Sequence, residues 1–200
     1  MNNAAYYTAR HGQWELETGR PAGPTLARAL DYARRTVLLD PKASLGYGTC
    51  ALAARVMAEH ELKAGRNPMP FVREGEAACQ KGEAQDPKFY DNPLQAGLLG
   101  LVEARWLASQ HAPPEPALPL ALAKLERART LNRFHGWETD LALARGQLLG
   151  ADLLPARAAA LRAAAKKLIA GVARTHPGLQ PLRELEAAAG GRTPPSRMPS

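Results

Sequence analysis

A repeat of about 46 residues runs through this chain and constrains its fold more than any other feature. When the sequence is shifted by this length, Asp40-Pro41 falls on Asp86-Pro87 and then on Asn132-Arg133. Small residues recur at two matching positions: Ala29, Gly75 and Ala121, then Thr36, Gly82 and Ala128. Periods of this length are typical of arrays in which each repeat is one supersecondary unit packed on the next.

Each repeat predicts a helical hairpin. The residue before a proline avoids the helical region, so the Asp-Pro pairs end helices. Prolines in the loops precede or begin the second helices, where a missing N–H costs nothing. No long alternating run of β-branched residues is present, which favours an all-α fold. The first helices are predicted at about 4–18, 44–64, 90–110 and 136–150, and the second helices at about 25–39, 71–85, 117–131 and 156–175.

The repeat also predicts the domain organisation. The fourth unit fits the pattern after two residues are removed, which brings Ala121 onto Ala165. The units span about 1–41, 42–87, 88–133 and 134–177, and a short capping helix follows at about 179–189. We therefore expect one helical repeat domain over residues 1–189. The tail 190–200 is rich in Gly, Pro, Ser and Arg and is expected to be disordered.

The residue pattern within the repeat resembles the tetratricopeptide (TPR) family. The runs ALDYARRTVLLDP, GEAACQKGEAQDP and ALAKLERARTLNR resemble TPR second helices, and Tyr47 and Ala51 occupy the large and small positions of a first helix. Together with the Gly-Arg turns, they resemble the elongated TPR arrays at the C-termini of bacterial (myxobacterial-type) Ser/Thr protein kinases. The resemblance implies a TPR-like α-solenoid of four hairpins plus a cap, and a role in kinase signalling. No kinase motif occurs in the chain.

Nothing in the sequence predicts catalysis, a metal or a cofactor, and we expect the protein not to be an enzyme. The five histidines stand singly, without the spacing of a metal site. Cys50 and Cys79 lie among alanines and are expected to be buried. The three tryptophans are expected to pack within the array or to cap the stack, and the alternative is that they stack on a ligand. No signal peptide is visible, and the longest apolar run, 94–102, is too short to span a bilayer. These features predict a cytoplasmic protein.

The TPR resemblance implies a binding surface. In such arrays the first helices line a concave groove that holds extended peptides or partner helices. The groove candidates in this chain are Tyr6, Arg10, Leu52, Arg55, Leu98, Arg105 and Arg145. Arginines beside apolar residues suit an acidic, partly hydrophobic protein segment. The alternative is that these arginines extend over apolar neighbours and bind nothing.

A second basic feature lies near the C-terminus. The net charge is +7, and the segment 155–175 contains no acidic residue. Its cations are Arg157, Arg162, Lys166, Lys167 and Arg174. They could dock a nucleic acid or another polyanion, or they could form a solvated helix face. The expected function is thus a non-catalytic protein–protein interaction scaffold, and the alternative is a basic helical repeat that binds nucleic acid.

Overall fold

The computed structural model describes residues 1–133 and 136–190, and within these ranges it contains helices and no strand. The helices are α1 (Asn2–Glu17), α2 (Gly23–Leu39), α3 (Ser44–Lys63), α4 (Met69–Gln85), α5 (Asp91–Ser109), α6 (Ala117–Leu131), α7 (Gly136–Leu153), α8 (Ala158–Thr175) and α9 (Gln180–Ala189). A 3₁₀ turn, Pro155–Arg157, precedes α8. The all-α fold and the order of the helices confirm the prediction, with bounds that differ by up to three residues.

The chain divides into two compact units, Met1–Leu131 and a second that begins at Asn132. In the first unit, α1–α2, α3–α4 and α5–α6 are antiparallel hairpins, and the first helices pack side by side, α1 on α3 and α3 on α5. In the second unit, α7 and α8 form a hairpin that α9 contacts on both helices. The single domain over residues 1–189 stays a prediction. Of the predicted tail 190–200, residues 191–200 lie outside the described part.

Two turns of the same geometry connect the first three hairpins. After α2, Asp40 Oδ1 accepts the Lys42 N–H at 3.2 Å, and the Asp40 carbonyl accepts the Ala43 N–H at 3.3 Å. After α4, Asp86 Oδ1 accepts the Lys88 N–H at 2.9 Å, and the Asp86 carbonyl accepts the Phe89 N–H at 3.3 Å. In each turn the aspartate side chain supplies a hydrogen-bond acceptor to an N–H that no longer has a helical carbonyl as its partner. We call these the first and second Asp-Pro turns.

Gly19 and Gly65 end the first helices α1 and α3. Their φ angles are +75° and +70°, a region that L side chains rarely adopt. After Gly19, the Arg20 N–H donates to the Glu15 carbonyl at 2.7 Å. After Gly65, the Arg66 N–H donates to the Glu61 carbonyl at 2.9 Å. This is the Schellman arrangement, in which a glycine lets the chain leave the helix while its last carbonyls stay paired. The glycine of the recurrent Gly-Arg pair is therefore explained by the backbone conformation at the end of the helix.

Small residues such as Gly75, at a repeated position on α4, and Gly97 on α5 permit close helix packing. A Cβ added to Gly75 would lie 2.6 Å from Leu99 Cδ1, and one added to Gly97 would lie 2.6 Å from Leu125 Cγ. Leu99 and Leu125 are both fully buried. A leucine thus fills the space that each glycine leaves, which is how close-packed interiors avoid voids.

The helix α3 is the most deeply buried in the first unit. Every residue from Gly46 to Ala58 is buried, because α3 contacts α1, α2, α4 and α5. In contrast, α8 buries one stripe, formed by Leu161, Ala165, Ile169 and Val172. Ala165, Ile169 and Val172 of that stripe join Leu141, Leu148, Leu182 and Leu185 in the core of the second unit. Within residues 1–133 and 136–190, no helix combines the length and apolar character that a membrane crossing needs.

Candidate functional site

Six of the predicted groove residues lie on the first helices of the first unit, and we call this surface the first-helix face: Tyr6 and Arg10 on α1, Leu52 and Arg55 on α3, Leu98 and Arg105 on α5. Tyr6, Arg10 and Arg105 are exposed, and Leu98 is half-buried. Leu52 and Arg55 are buried, with 3% and 5% of their surface exposed. The seventh candidate, Arg145, is exposed on α7 in the second unit.

The buried Arg55 side chain joins the three first helices. Its Nε donates a hydrogen bond to Gln95 Oε1 on α5 at 2.9 Å, and its Nη1 donates to Glu59 Oε1 on α3 at 2.5 Å. Its Nη2 lies 3.5 Å from Gln13 Oε1 on α1. A buried cation is costly unless a carboxylate and hydrogen-bond acceptors surround it. Arg55 has both, so it fixes the relative position of α1, α3 and α5.

Gln13 connects Arg55 to the exposed edge of the face. Gln13 Oε1 also accepts a hydrogen bond from Arg10 Nη1 at 3.2 Å, and Arg10 Nε donates to the Tyr6 hydroxyl at 3.2 Å. The structure therefore brings the predicted residues Tyr6, Arg10 and Arg55 into one network. The sequence analysis did not select Gln13, although a signal was present: Gln13, Glu59 and Arg105 occupy the same position in successive repeats.

Asp91, the first residue of α5, adds a second carboxyl group to this network. Gln95 Nε2 donates a hydrogen bond to Asp91 Oδ1 at 2.9 Å. Burial raises the pKa of Asp91, and the Gln95 hydrogen bond and the positive charges of Arg55 and Arg10 oppose this effect in part. Glu59 thus pairs directly with Arg55, and the Asp91 carboxyl group lies near enough to interact with its charge. The cations that the face presents to solvent are Arg10 at one edge and Arg105 at the other.

Aromatic side chains continue the exposed side of α1. Trp14 on α1 is 42% exposed. The Arg20 guanidinium lies 4.3 Å from the centroid of the Trp14 ring, and the His11 ring stacks on Trp14 at 5.7 Å. Contacts of this kind hold an exposed aromatic ring in place. The α1 surface is therefore an ordered mixture of aromatic and basic groups.

The two cysteines are buried and free, as predicted. Burial raises the pKa of Cys50 to about 11 and raises the pKa of Cys79 still further. A buried thiol that stays protonated is a poor nucleophile. Among the residues that the structure describes, no three His, Cys, Asp or Glu side chains come together in a way that could hold a metal ion.

The predicted basic patch lies in the second unit. Arg157, Lys166, Lys167 and Arg174 are exposed, and none of them forms an ion pair with a described residue. Arg162 differs, because its Nη2 donates to Asp152 Oδ1 on α7 at 2.5 Å. The exposed residues between these cations are alanines, namely Ala159, Ala160, Ala163 and Ala170. The patch is therefore basic, and the exposed side chains between its cations are small.

Comparison of the chain with protein-family models, with curated proteins and with solved structures gave no match. The class of this protein is therefore defined by its fold alone, which is an all-α array of helical hairpins with a C-terminal helix. This architecture is compatible with a TPR-like solenoid.

Proposed function

We propose that this protein is a non-catalytic, TPR-like interaction scaffold that binds an acidic, partly apolar peptide or partner helix on its first-helix face. The observation that carries the proposal is the Arg55 network, which spans α1, α3 and α5 and leaves Arg10 and Arg105 exposed at the two edges. A surface held in advance of binding loses less entropy when the partner docks.

The chemistry of the face supports an acidic partner. An arginine guanidinium binds a carboxylate through two parallel hydrogen bonds, which gives both energy and orientation. Tyr6 beside Arg10 supplies an aromatic contact, and half-buried Leu98 supplies an apolar one. Aromatic residues and arginines are the side chains that most often dominate binding energy at protein interfaces.

We place the partner in bacterial Ser/Thr kinase signalling, in the cytoplasm. The support for this setting is the resemblance of the three second-helix sequences to the TPR arrays of such kinases. It can be tested separately from the binding chemistry, by affinity capture from the native organism followed by mass spectrometry. Recovery of a Ser/Thr kinase or its substrate would support the setting, and recovery of neither would contradict it.

A peptide-display selection tests the binding chemistry. Random peptides are selected on the wild-type protein and then measured against an Arg10→Glu/Arg105→Glu variant. We expect enriched peptides to carry acidic residues and to lose at least about tenfold in affinity on the variant, because each edge then repels a carboxylate.

The matched control is Lys166→Glu/Lys167→Glu, which makes the same charge change on α8, in the second unit. It should leave the affinity of the selected peptides within about twofold. If no acidic peptide is enriched, or if both double variants weaken binding equally, the first-helix face is not the binding site.

A second candidate function is polyanion binding by α8. The specific observation is four exposed cations, with alanines between them, that form no ion pair with any residue in 1–133 or 136–190. Filter binding of duplex DNA and of single-stranded RNA across a salt series tests this function. True phosphate contacts give a steep loss of affinity with salt. Lys166→Glu/Lys167→Glu should abolish that binding, and absence of binding at low salt would exclude it.

A further inference from the structure

One side of α1 carries a regular row of exposed residues. Ala4, Tyr7, His11 and Trp14 follow one another at alternating intervals of three and four positions, so they lie on one side of the helix. All four are exposed, and the exposed fractions of Tyr7 and Trp14 are 68% and 42%. This spacing is that of a helix surface that packs lengthwise against a second helix. We call the row the α1 seam.

The same row is covered by a helix in the later hairpins. The residue one repeat after Trp14 is His60 on α3, and its Nε2 lies 3.4 Å from the position that an added Cβ on the first residue of α2 would take. The residue two repeats after Tyr7 is Leu99 on α5, which is fully buried and fills the space beside Gly75 of α4. Each contact joins the row to the second helix of the preceding hairpin. The array itself therefore shows that this row receives a helix.

The last described helix, α9, has a different outer surface. Its exposed residues include Arg183, Glu184 and Glu186. A polar outer face is typical of a helix that caps a repeat array. Such a face does not match the aromatic α1 seam, because burying charged groups against rings costs free energy when no partner compensates the charge. The outer surface of α9 is therefore not the complement of the seam.

The α1 seam is complementary to itself. Arg10 and Glu17 are both exposed on one flank of the seam, about two helical turns apart. When two such helices lie antiparallel about a two-fold axis, the same flank of each copy meets, which brings Arg10 of one copy to Glu17 of the other. The axis then lies between His11 and Trp14, so these two rings, which stack at 5.7 Å within one copy, also meet the same rings of the second copy. The symmetry forms each contact twice.

We propose that two copies of this chain associate through their α1 seams, as antiparallel helices about a two-fold axis. Two observations carry the proposal. The row receives a helix in the second and third hairpins, and its flank brings opposite charges together when it meets itself. Tyrosine and tryptophan are also enriched in the buried centre of protein interfaces. The proposal does not depend on an acidic partner of the first-helix face, although Arg10 borders both surfaces.

Sedimentation velocity of the full chain tests the association, at protein concentrations from about 1 to about 300 µM. We expect a reversible, concentration-dependent dimer. Trp14→Ala should weaken the dimer at least about tenfold, because each dimer loses two rings next to the axis. The matched control is Leu120→Ala, since Leu120 is 60% exposed on α6, and it should leave the dissociation constant within about twofold.

Charge reversal tests the two-fold arrangement. Arg10→Glu alone places two pairs of glutamates together, and Glu17→Arg alone places two pairs of arginines together. Each single variant should weaken the dimer at least about tenfold, because like charges repel across the contact. An equimolar mixture of the two single variants restores opposite charges in every pair and should form a mixed dimer of about wild-type affinity. Circular dichroism of each variant confirms that it is folded, and a misfolded variant could not restore the dimer in the mixture.

Three results would overturn the proposal. The first is a wild-type chain that stays monomeric at about 300 µM, which would leave the seam to a helix of another protein. The second is a dimer that Trp14→Ala and Leu120→Ala affect equally, which would place the contact elsewhere on the surface. The third is a mixture of the two charge variants that stays monomeric, which would exclude the antiparallel pairing of Arg10 with Glu17.

Discussion

The helices α3 and α8 both contain several alanines, and these lie in different environments. Both are long and rich in alanine, yet the alanines of α3 at 51, 53, 54 and 58 are buried and those of α8 at 159, 160, 163 and 170 are exposed. The difference follows from their neighbours, because α3 packs against four helices and α8 packs on α7 and α9. An alanine-rich helix thus becomes core or surface according to its place in the array.

Replacing one alanine of each helix with leucine should give the largest difference in the free energy of unfolding between α3 and α8. The Ala54 Cβ lies 3.3 Å from the position that a Cβ on Gly75 would take, so a leucine side chain has no room there. We expect Ala54→Leu to lower the free energy of unfolding by about 3 kcal/mol. Ala163→Leu, on exposed α8, should change it by less than about 0.5 kcal/mol. Urea unfolding followed by circular dichroism measures both, and equal effects would break the comparison.

Removal of one cation from each helix should give the next largest effect. Arg55→Met breaks three polar contacts and leaves Glu59 and Gln95 without their partner. We expect a loss of about 2–3 kcal/mol in the free energy of unfolding, because charge-assisted bonds to buried groups are strong. Lys167→Met on α8 should cost less than about 0.5 kcal/mol. A stable Arg55→Met protein in guanidinium unfolding would mean that the network does not hold the first helices together.

Two glycine-to-alanine substitutions should change the free energy of unfolding in opposite directions. In Gly75→Ala, the new Cβ would lie 2.6 Å from Leu99 Cδ1 and 3.3 Å from the Ala54 Cβ, so we expect a loss of about 1–2 kcal/mol. In Gly171→Ala on α8, no atom lies within 4 Å of the new Cβ. Alanine is the better helix former, so this variant should gain about 0.5–1 kcal/mol. Thermal unfolding of both variants checks the prediction, and two changes of the same sign would refute it.

The smallest effect concerns pH. Burial raises the pKa of Asp91 in the folded state, so the folded protein binds this proton more readily than the unfolded chain does. Stability from this group is therefore gained as pH falls through the folded pKa and lost as pH rises through it. We therefore expect the Tm of the wild type, relative to that of Asp91→Asn, to rise as the pH is lowered. The difference for Lys167→Met should stay constant, and a parallel shift for both variants would exclude the assignment to Asp91.

The sequence predicted the helices well because their ends are encoded locally. Asp-Pro pairs stop α2 and α4, and Gly-Arg pairs stop α1 and α3, through bonds to residues within one or two turns. The small positions at Gly75 and Gly82 were also predictable, because a small residue recurs there in successive repeats.

The candidate site was less predictable, because its contacts join residues that are distant in sequence. Arg55 was selected as a groove residue, but its burial depends on Gln95 and Gln13, which lie 40 and 42 residues away. Trp14 shared its repeat position with Trp106 and was expected to pack. Trp14 is 42% exposed, whereas Trp106 is half-buried.

The two Asp-Pro turns have a consequence for how such a chain can diversify. Each turn holds its backbone with the aspartate side chain and with a bond from the N–H of the fourth residue to the aspartate carbonyl, so the side chain of the fourth residue takes no part in these bonds. That side chain can therefore differ between repeats, as it does between Ala43 and Phe89, while both turns keep the same hydrogen bonds. The packing around a junction can thus change while the connection between the hairpins stays the same.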